Sequence, residues 1–101
     1  MITFPSESIC GSPLVISREE DCVKLSENGW SSITVIDNMC NSLTSDLIIS
    51  NSSCLQYIYI QSFSLQNIHS FTLSNNPFLS MFIQERYSLE NTNDVVISSM
   101  F

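Results

Sequence analysis

Four cysteines, one histidine and scattered carboxylates are the side chains of this sequence that could do covalent, metal or acid–base chemistry. Cys10, Cys22, Cys40 and Cys54 contain no CxxC pair, and His69 lies fifteen residues beyond Cys54. Structural zinc needs paired, closely spaced ligands, so no metal site is expected. Four cysteines permit three disulfide pairings. No secretory signal stands at the start of the sequence, so Cys40 and Cys54 read as reduced, buried small hydrophobes. For Cys10 and Cys22 a disulfide in the N-terminal segment stays open. His69, between Ile68 and Ser70, reads as a solvated histidine, and no spacing joins it to a serine and an aspartate as a triad. Asp37 and Asp46 read as solvated surface carboxylates. Asn51-Ser52-Ser53 is an N-glycosylation sequon, which has meaning only in a secreted chain. With Gly11 and Gly29 the only glycines, a phosphate-cradling loop is scarcely possible. Catalysis is not expected, and no cofactor.

The elements that must position these residues follow from composition. The chain has 101 residues, enough for one small domain. Twenty serines, nine asparagines, twelve isoleucines and no alanine weigh against helix and for strands joined by polar turns. Three basic residues against ten acidic ones give a net charge of −7. Arg18, Lys24 and Arg86 lie far apart, which argues against nucleic acid, because phosphate contacts need clustered cations. No apolar run approaches the ~20 residues of a membrane helix. With neither such a run nor a signal peptide, membrane insertion is not expected and the cytoplasm is favoured.

Self-comparison carries the most information. In 24-residue lines the chain reads WSSITVIDNMCNSLTSDLIISNSS (30–53), CLQYIYIQSFSLQNIHSFTLSNNP (54–77) and FLSMFIQERYSLENTNDVVISSMF (78–101). The last two lines align Leu55 with Leu79, Ile58 with Phe82, Leu65 with Leu89, Phe71 with Val95 and Leu73 with Ile97. The first joins with a one-residue slip, matching Ile33 and Val35 to Ile58 and Ile60. The pairs I-x-I and F-x-L are period-2 marks of short strands with one side inward. The polar residues between them would turn the chain by capping their own backbone groups. Such units bury their apolar row only when stacked, so the residues predict a mainly β, β-rich solenoid of about three 24-residue repeats.

Residues 1–29 form a different lead-in. Leu14-Val15-Ile16 predicts a strand. Ser17 and Glu20 have the capping-box spacing, acidic residues follow at 19–21, and Gly29 offers a stop, which together predict a short helix over about 18–27. Val23, with Cys22, would pack on the first repeat as an N-terminal cap.

The pattern L-x-x-I-x-I-x-x-x-S-L-x-N-I-x-x-F-x-L-S-x-x-P-x-L, running from Leu55 to Leu79, resembles leucine-rich repeat proteins of the irregular protist kind and is similar to the BspA-like subgroup. The segment LVISREEDCVKLSENGWSSITVIDNMCN resembles the lead-in of such proteins. The resemblance covers roughly 14–99 and implies a leucine-rich-repeat-like right-handed coil, a short or truncated family member, and a protein-binding scaffold without catalytic residues. Two positions depart from the pattern. Gln84 falls where Ile60 and Val35 are inward and apolar, and Thr92 replaces Ile68. The last repeat is therefore expected to be degenerate, either solvent-open there or slipped so that Ile83 turns inward.

On the predicted strands the alternate residues point outward: Ser32 and Thr34, Tyr57 and Tyr59, Met81 and Ile83. Stacking sets them side by side as an exposed apolar face, and aromatic and Met side chains are enriched in interface cores. Thr34, Tyr57, Tyr59, Met81 and Ile83 are therefore the candidate partner-binding residues. The acidic balance suits a protein partner with a basic surface. The bland reading is that these residues only satisfy strand propensity. Self-assembly through open ends, favoured by the uncharged Leu55–Ile60 segment, is the alternative from a different class. So is a fragment of a longer repeat surface protein.

Overall fold

Alternating branched and aromatic residues extend the chain in short pieces, and serine, asparagine and aspartate bend it between them. The structure, a computed structural model, describes residues 12–98. Its strands are β1 (Ser12–Ile16), β2 (Trp30–Val35), β3 (Leu47–Ser50), β4 (Tyr57–Ile60), β5 (Ser70–Ser74), β6 (Met81–Gln84) and β7 (Asp94–Ile97). A 3-10 helix, Glu19–Ser26, lies between β1 and β2. Strand pairing is parallel throughout, in a larger sheet of order β1-β2-β4-β6 and a smaller one of order β3-β5-β7.

From β2 onward the chain alternates between the sheets, so each strand pairs with the strand two places on. Parallel neighbours need a long crossover, and here the crossover is a strand of the other sheet. The repeat spacing sets the register: Ile33 lies beside Ile58 and Ile58 beside Phe82, while Phe71 lies between Leu47 and Val95. The inward rows meet in one core containing Leu14, Ile16, Ile33, Val35, Ile58 and Ile60 from the larger sheet and Leu47, Ile49, Phe71 and Leu73 from the smaller. Leu55, Leu65, Leu79 and Leu89 close it at the corners.

The expected right-handed, leucine-rich-repeat-like solenoid is not found. The described residues form a small compact body of two parallel sheets, one of four strands and one of three, with almost no helix among them. Its radius of gyration is 13.4 Å, near the ~13 Å of a compact 100-residue domain. The lead-in is no appended cap either, because β1 is hydrogen-bonded into the larger sheet as its first strand. Periodic apolar spacing specifies which strands lie side by side, and a few such matches are satisfied within one shared core.

The helix differs in kind from the expectation. Arg18 precedes it without any side-chain capping bond, so the Ser17–Glu20 capping box does not form. With three residues per turn, positions 19, 22 and 25 share one edge. That edge puts Cys22 and Leu25 into the core and brings the Glu19 carboxylate to the corner after β2. Val23, expected to pack, is exposed instead.

The last repeat keeps its register, with Ile60 beside Gln84 and Ile83 pointing outward, so no slip occurs. Gln84 is exposed and donates its amide to the Ser88 carbonyl at 3.0 Å. The Thr92 hydroxyl is buried without a hydrogen-bond partner, the polar cost of replacing the isoleucine found at position 68.

Candidate functional site

Strand geometry sends alternate side chains to opposite faces, and on the larger sheet the outward ones form two rows. Val15, Thr34, Tyr59 and Ile83 lie in register across β1, β2, β4 and β6, and Ser32, Tyr57 and Met81 across β2, β4 and β6. Val15, Tyr57, Met81 and Ile83 are exposed, Met81 at 50%. Thr34 and Tyr59 are half-buried. Of the six residues expected to point outward, Ser32 is buried: it is flanked in register by Pro13 and Tyr57, which close over a side chain that short.

Tyr59 anchors the edge of this face. Its hydroxyl donates a short hydrogen bond to the Glu85 carboxylate, which also accepts from the Ser62 hydroxyl at 3.4 Å. That bond to Glu85 holds the Tyr59 phenol above the ordinary tyrosine range, helped by desolvation and by the charges of Glu85 and Asp37. Beyond the strand ends the Phe63 and Tyr87 rings stack with centroids 5.0 Å apart, and the Arg86 guanidinium lies 5.9 Å from the Tyr87 centroid. Both rings are exposed, on residues with left-handed φ of 62° and 65°. The site is therefore an apolar sheet face continued at one edge by an aromatic pair and a carboxylate.

Sequence reasoning did not find Val15, Glu85, Phe63 and Tyr87. Val15 pairs with Thr34 at a 19-residue offset, outside the 24-residue period. Phe63 and Tyr87 do share one column of the 24-residue lines, so the signal for their stacking was present in the sequence.

The cysteines depart from their sequence reading. Cys40 is not reduced: it is disulfide-bonded to Cys22, with Cα atoms 5.7 Å apart, and Cys54 is disulfide-bonded as well. The helix edge carrying Cys22 faces the corner carrying Cys40, a proximity that separation along the chain conceals. Cys10 lies outside the described residues. His69 is exposed and its Nδ1 is 3.2 Å from Asp46 Oδ1, with no serine hydroxyl bonded to the ring. Among the described residues no group of three or more His, Cys, Asp or Glu is placed to hold a metal ion. No helix among them is long and apolar enough to cross a membrane.

Comparison with known proteins adds nothing to this geometry: no family model matches the chain, nor does any curated protein or solved structure.

Proposed function

We propose that the chain is a non-catalytic protein-protein interaction module that binds its partner through the outward face of the larger sheet. Thr34, Tyr57, Tyr59, Met81 and Ile83 make the contact surface, extended by Val15. One observation carries this reading: an all-parallel sheet, a type normally covered on both faces, leaves Val15, Tyr57, Met81 and Ile83 exposed on its outward side. A contiguous apolar patch on a soluble body is characteristic of an interaction site. The net charge of −7 and the carboxylates of Asp37 and Glu85 beside Tyr59 favour a partner with a basic surface.

The Cys22–Cys40 disulfide is chemistry of an oxidising compartment. It supports a module acting outside the cytoplasm, against the expectation drawn from the absence of a signal peptide.

The test is affinity capture from source material under non-reducing conditions, with wild type beside a Tyr57→Ser, Met81→Ser double variant. Both side chains are exposed, so the variant is expected to keep its circular dichroism spectrum and melting temperature. A protein retained by wild type, lost by the folded variant and eluted by raised salt is the expected result. Equal capture by the two would move binding off this face.

A further inference from the structure

Asn51-Ser52-Ser53 is the only N-x-S/T triplet formed by the nine asparagines of the chain. A quarter of the residues are serine or threonine, so such a triplet arises readily by chance and the pattern alone says little. What distinguishes it is the place the fold gives it. Asparagine is mostly a structural side chain in this protein: the carboxamides of Asn28, Asn38, Asn41, Asn67, Asn76 and Asn91 are all engaged in hydrogen bonds. Asn51 is not used in this way. It stands exposed at the corner that follows β3, and no described residue hydrogen-bonds to its side chain.

The corner holds together without that carboxamide. The Asn51 backbone amide donates to the Ser74 carbonyl at 3.2 Å, and the Ser52 amide donates to Asn76 Oδ1 at 3.0 Å. Ser52 is buried, with its hydroxyl 3.3 Å from Asn28 Oδ1. Backbone bonds and Ser52 thus fix Asn51 at a left-handed φ of 58°, a conformation asparagine tolerates better than most residues. A bulky group on Asn51 Nδ2 would displace no contact of the fold.

The disulfides supply the second observation. Cys22 is bonded to Cys40, and Cys54, which directly follows the triplet, is disulfide-bonded too. Such bonds belong to an oxidising compartment, and a triplet of this kind on the surface of a secreted chain is an acceptor for sugar. We infer that Asn51 carries an N-linked oligosaccharide. In its attachment Asn51 Nδ2 bonds to the anomeric carbon of a sugar held on a lipid diphosphate. The bond from that carbon to the diphosphate oxygen breaks, the lipid diphosphate leaves with the electron pair, and the displaced amide proton passes to a base of the transferase. With Ser52 buried, the folded triplet cannot be drawn out into an enzyme cleft, so transfer precedes closure of the corner. Asn75 is an internal control. It is exposed at the corner after β5 with φ of 56°, but Asn76-Pro77 follows it, so it lacks the hydroxyl two residues on and stays bare. The inference rests on the oxidising compartment read from the disulfides, not on the partner face.

The test is peptide mapping of the protein recovered from its source. It is digested without reduction and treated, in heavy-oxygen water, with the amidase that cleaves sugar from asparagine. The expected result is isotope incorporated at position 51 and none at position 75. Ser53→Ala, expressed in the source cells, should lose the sugar completely with its melting temperature unchanged, whereas Ser53→Thr should keep it. An unlabelled position 51 in protein whose Cys22–Cys40 bond is intact would overturn the sugar and leave the compartment standing. Free thiols at Cys22 and Cys40 with position 51 unlabelled would overturn both. Sugar that survives Ser53→Ala would be attached by other chemistry and would overturn the inference as well.

Discussion

Asn76 is fully buried and ties one corner to the strand before it in the smaller sheet. Its Oδ1 accepts from the Ser52 amide and its Nδ2 donates to the Ile49 carbonyl, each at 3.0 Å. Ser64 does the same at another corner, accepting from the Met39 amide at 3.1 Å and donating to the Ile36 carbonyl at 2.5 Å. A buried backbone group left without a partner costs about 1–3 kcal/mol. Asn76→Ala leaves two, so urea unfolding should show a loss of about 2–4 kcal/mol, while a serine-to-alanine change at exposed Ser53 should cost almost nothing. The abundance of serine and asparagine was legible as corners, but not what the corners do. These side chains reach backbone groups 24 to 28 residues away rather than their own, and composition cannot separate a local bond from a distant one.

Glu19 shows the same reach with a charge. Its carboxylate accepts from the Ser42 hydroxyl at 2.6 Å and from the Cys40 amide at 3.0 Å. The Ser42 hydroxyl lowers its pKa most, partial burial opposes this, and the Cys40 and Ser42 amides lower it further, leaving it below the ordinary 4.5. A carboxylate with a depressed folded pKa adds stability that is complete above its unfolded value and is lost as pH falls through the folded value. Melting temperature should therefore drop as the pH is taken below about 4.5. In Glu19→Gln that part of the drop should be missing, the other carboxylates still contributing theirs.

At the scale of the element, the 3-10 helix is held by attachment more than by its own sequence. It lacks a side-chain cap, and what fixes it is Leu25 in the core, Glu19 on the corner after β2 and the bond from Cys22 to Cys40. That disulfide closes a loop with a sequence separation of 18, for which the chain-entropy account gives about 3 kcal/mol. Cys22→Ser with Cys40→Ser should lower unfolding free energy by roughly that amount, with the loss concentrated in faster proteolysis between β1 and β2. The strands were legible because period-2 apolar spacing is a local property. The helix type was not, because a capping box and a three-residue burial edge compete over the same eight residues. Here tertiary anchoring at 19, 22 and 25 prevails over a cap worth about 1 kcal/mol. The corners hold a second feature hidden from propensity. Asn38, Phe63 and Tyr87 occupy equivalent corner positions, as do Cys40, Leu65 and Leu89, and all six have left-handed φ. Phenylalanine and leucine rarely adopt that conformation, and they do so here because core packing and ring stacking repay the strain.

For the molecule as a whole, the repeat was legible as strand register, and the strand residues it aligns, such as Ile58 with Phe82 and Phe71 with Val95, are neighbours in the sheets. The inference from register to a capped, leucine-rich-repeat-like coil failed because the first strand is itself part of the larger sheet and the two sheets share one core. The outward face was legible in five residues. Its aromatic extension stood in the sequence only as a shared column, Phe63 above Tyr87, and which side those rings take depends on the left-handed corners that carry them. Every strand pair among the described residues is parallel, and while β1 pairs with β2 across the 3-10 helix, β2 to β7 pair only across 24 or 25 residues. A chain built this way has no hairpin to start from. It must close a long loop before the first ladder bond rewards it, and such non-local topology folds on the scale of milliseconds to seconds rather than microseconds. Newly made protein would therefore spend a prolonged period with its uncharged strands Tyr57–Ile60 and Met81–Gln84 unpaired, dependent on the cellular machinery that shields nascent chains.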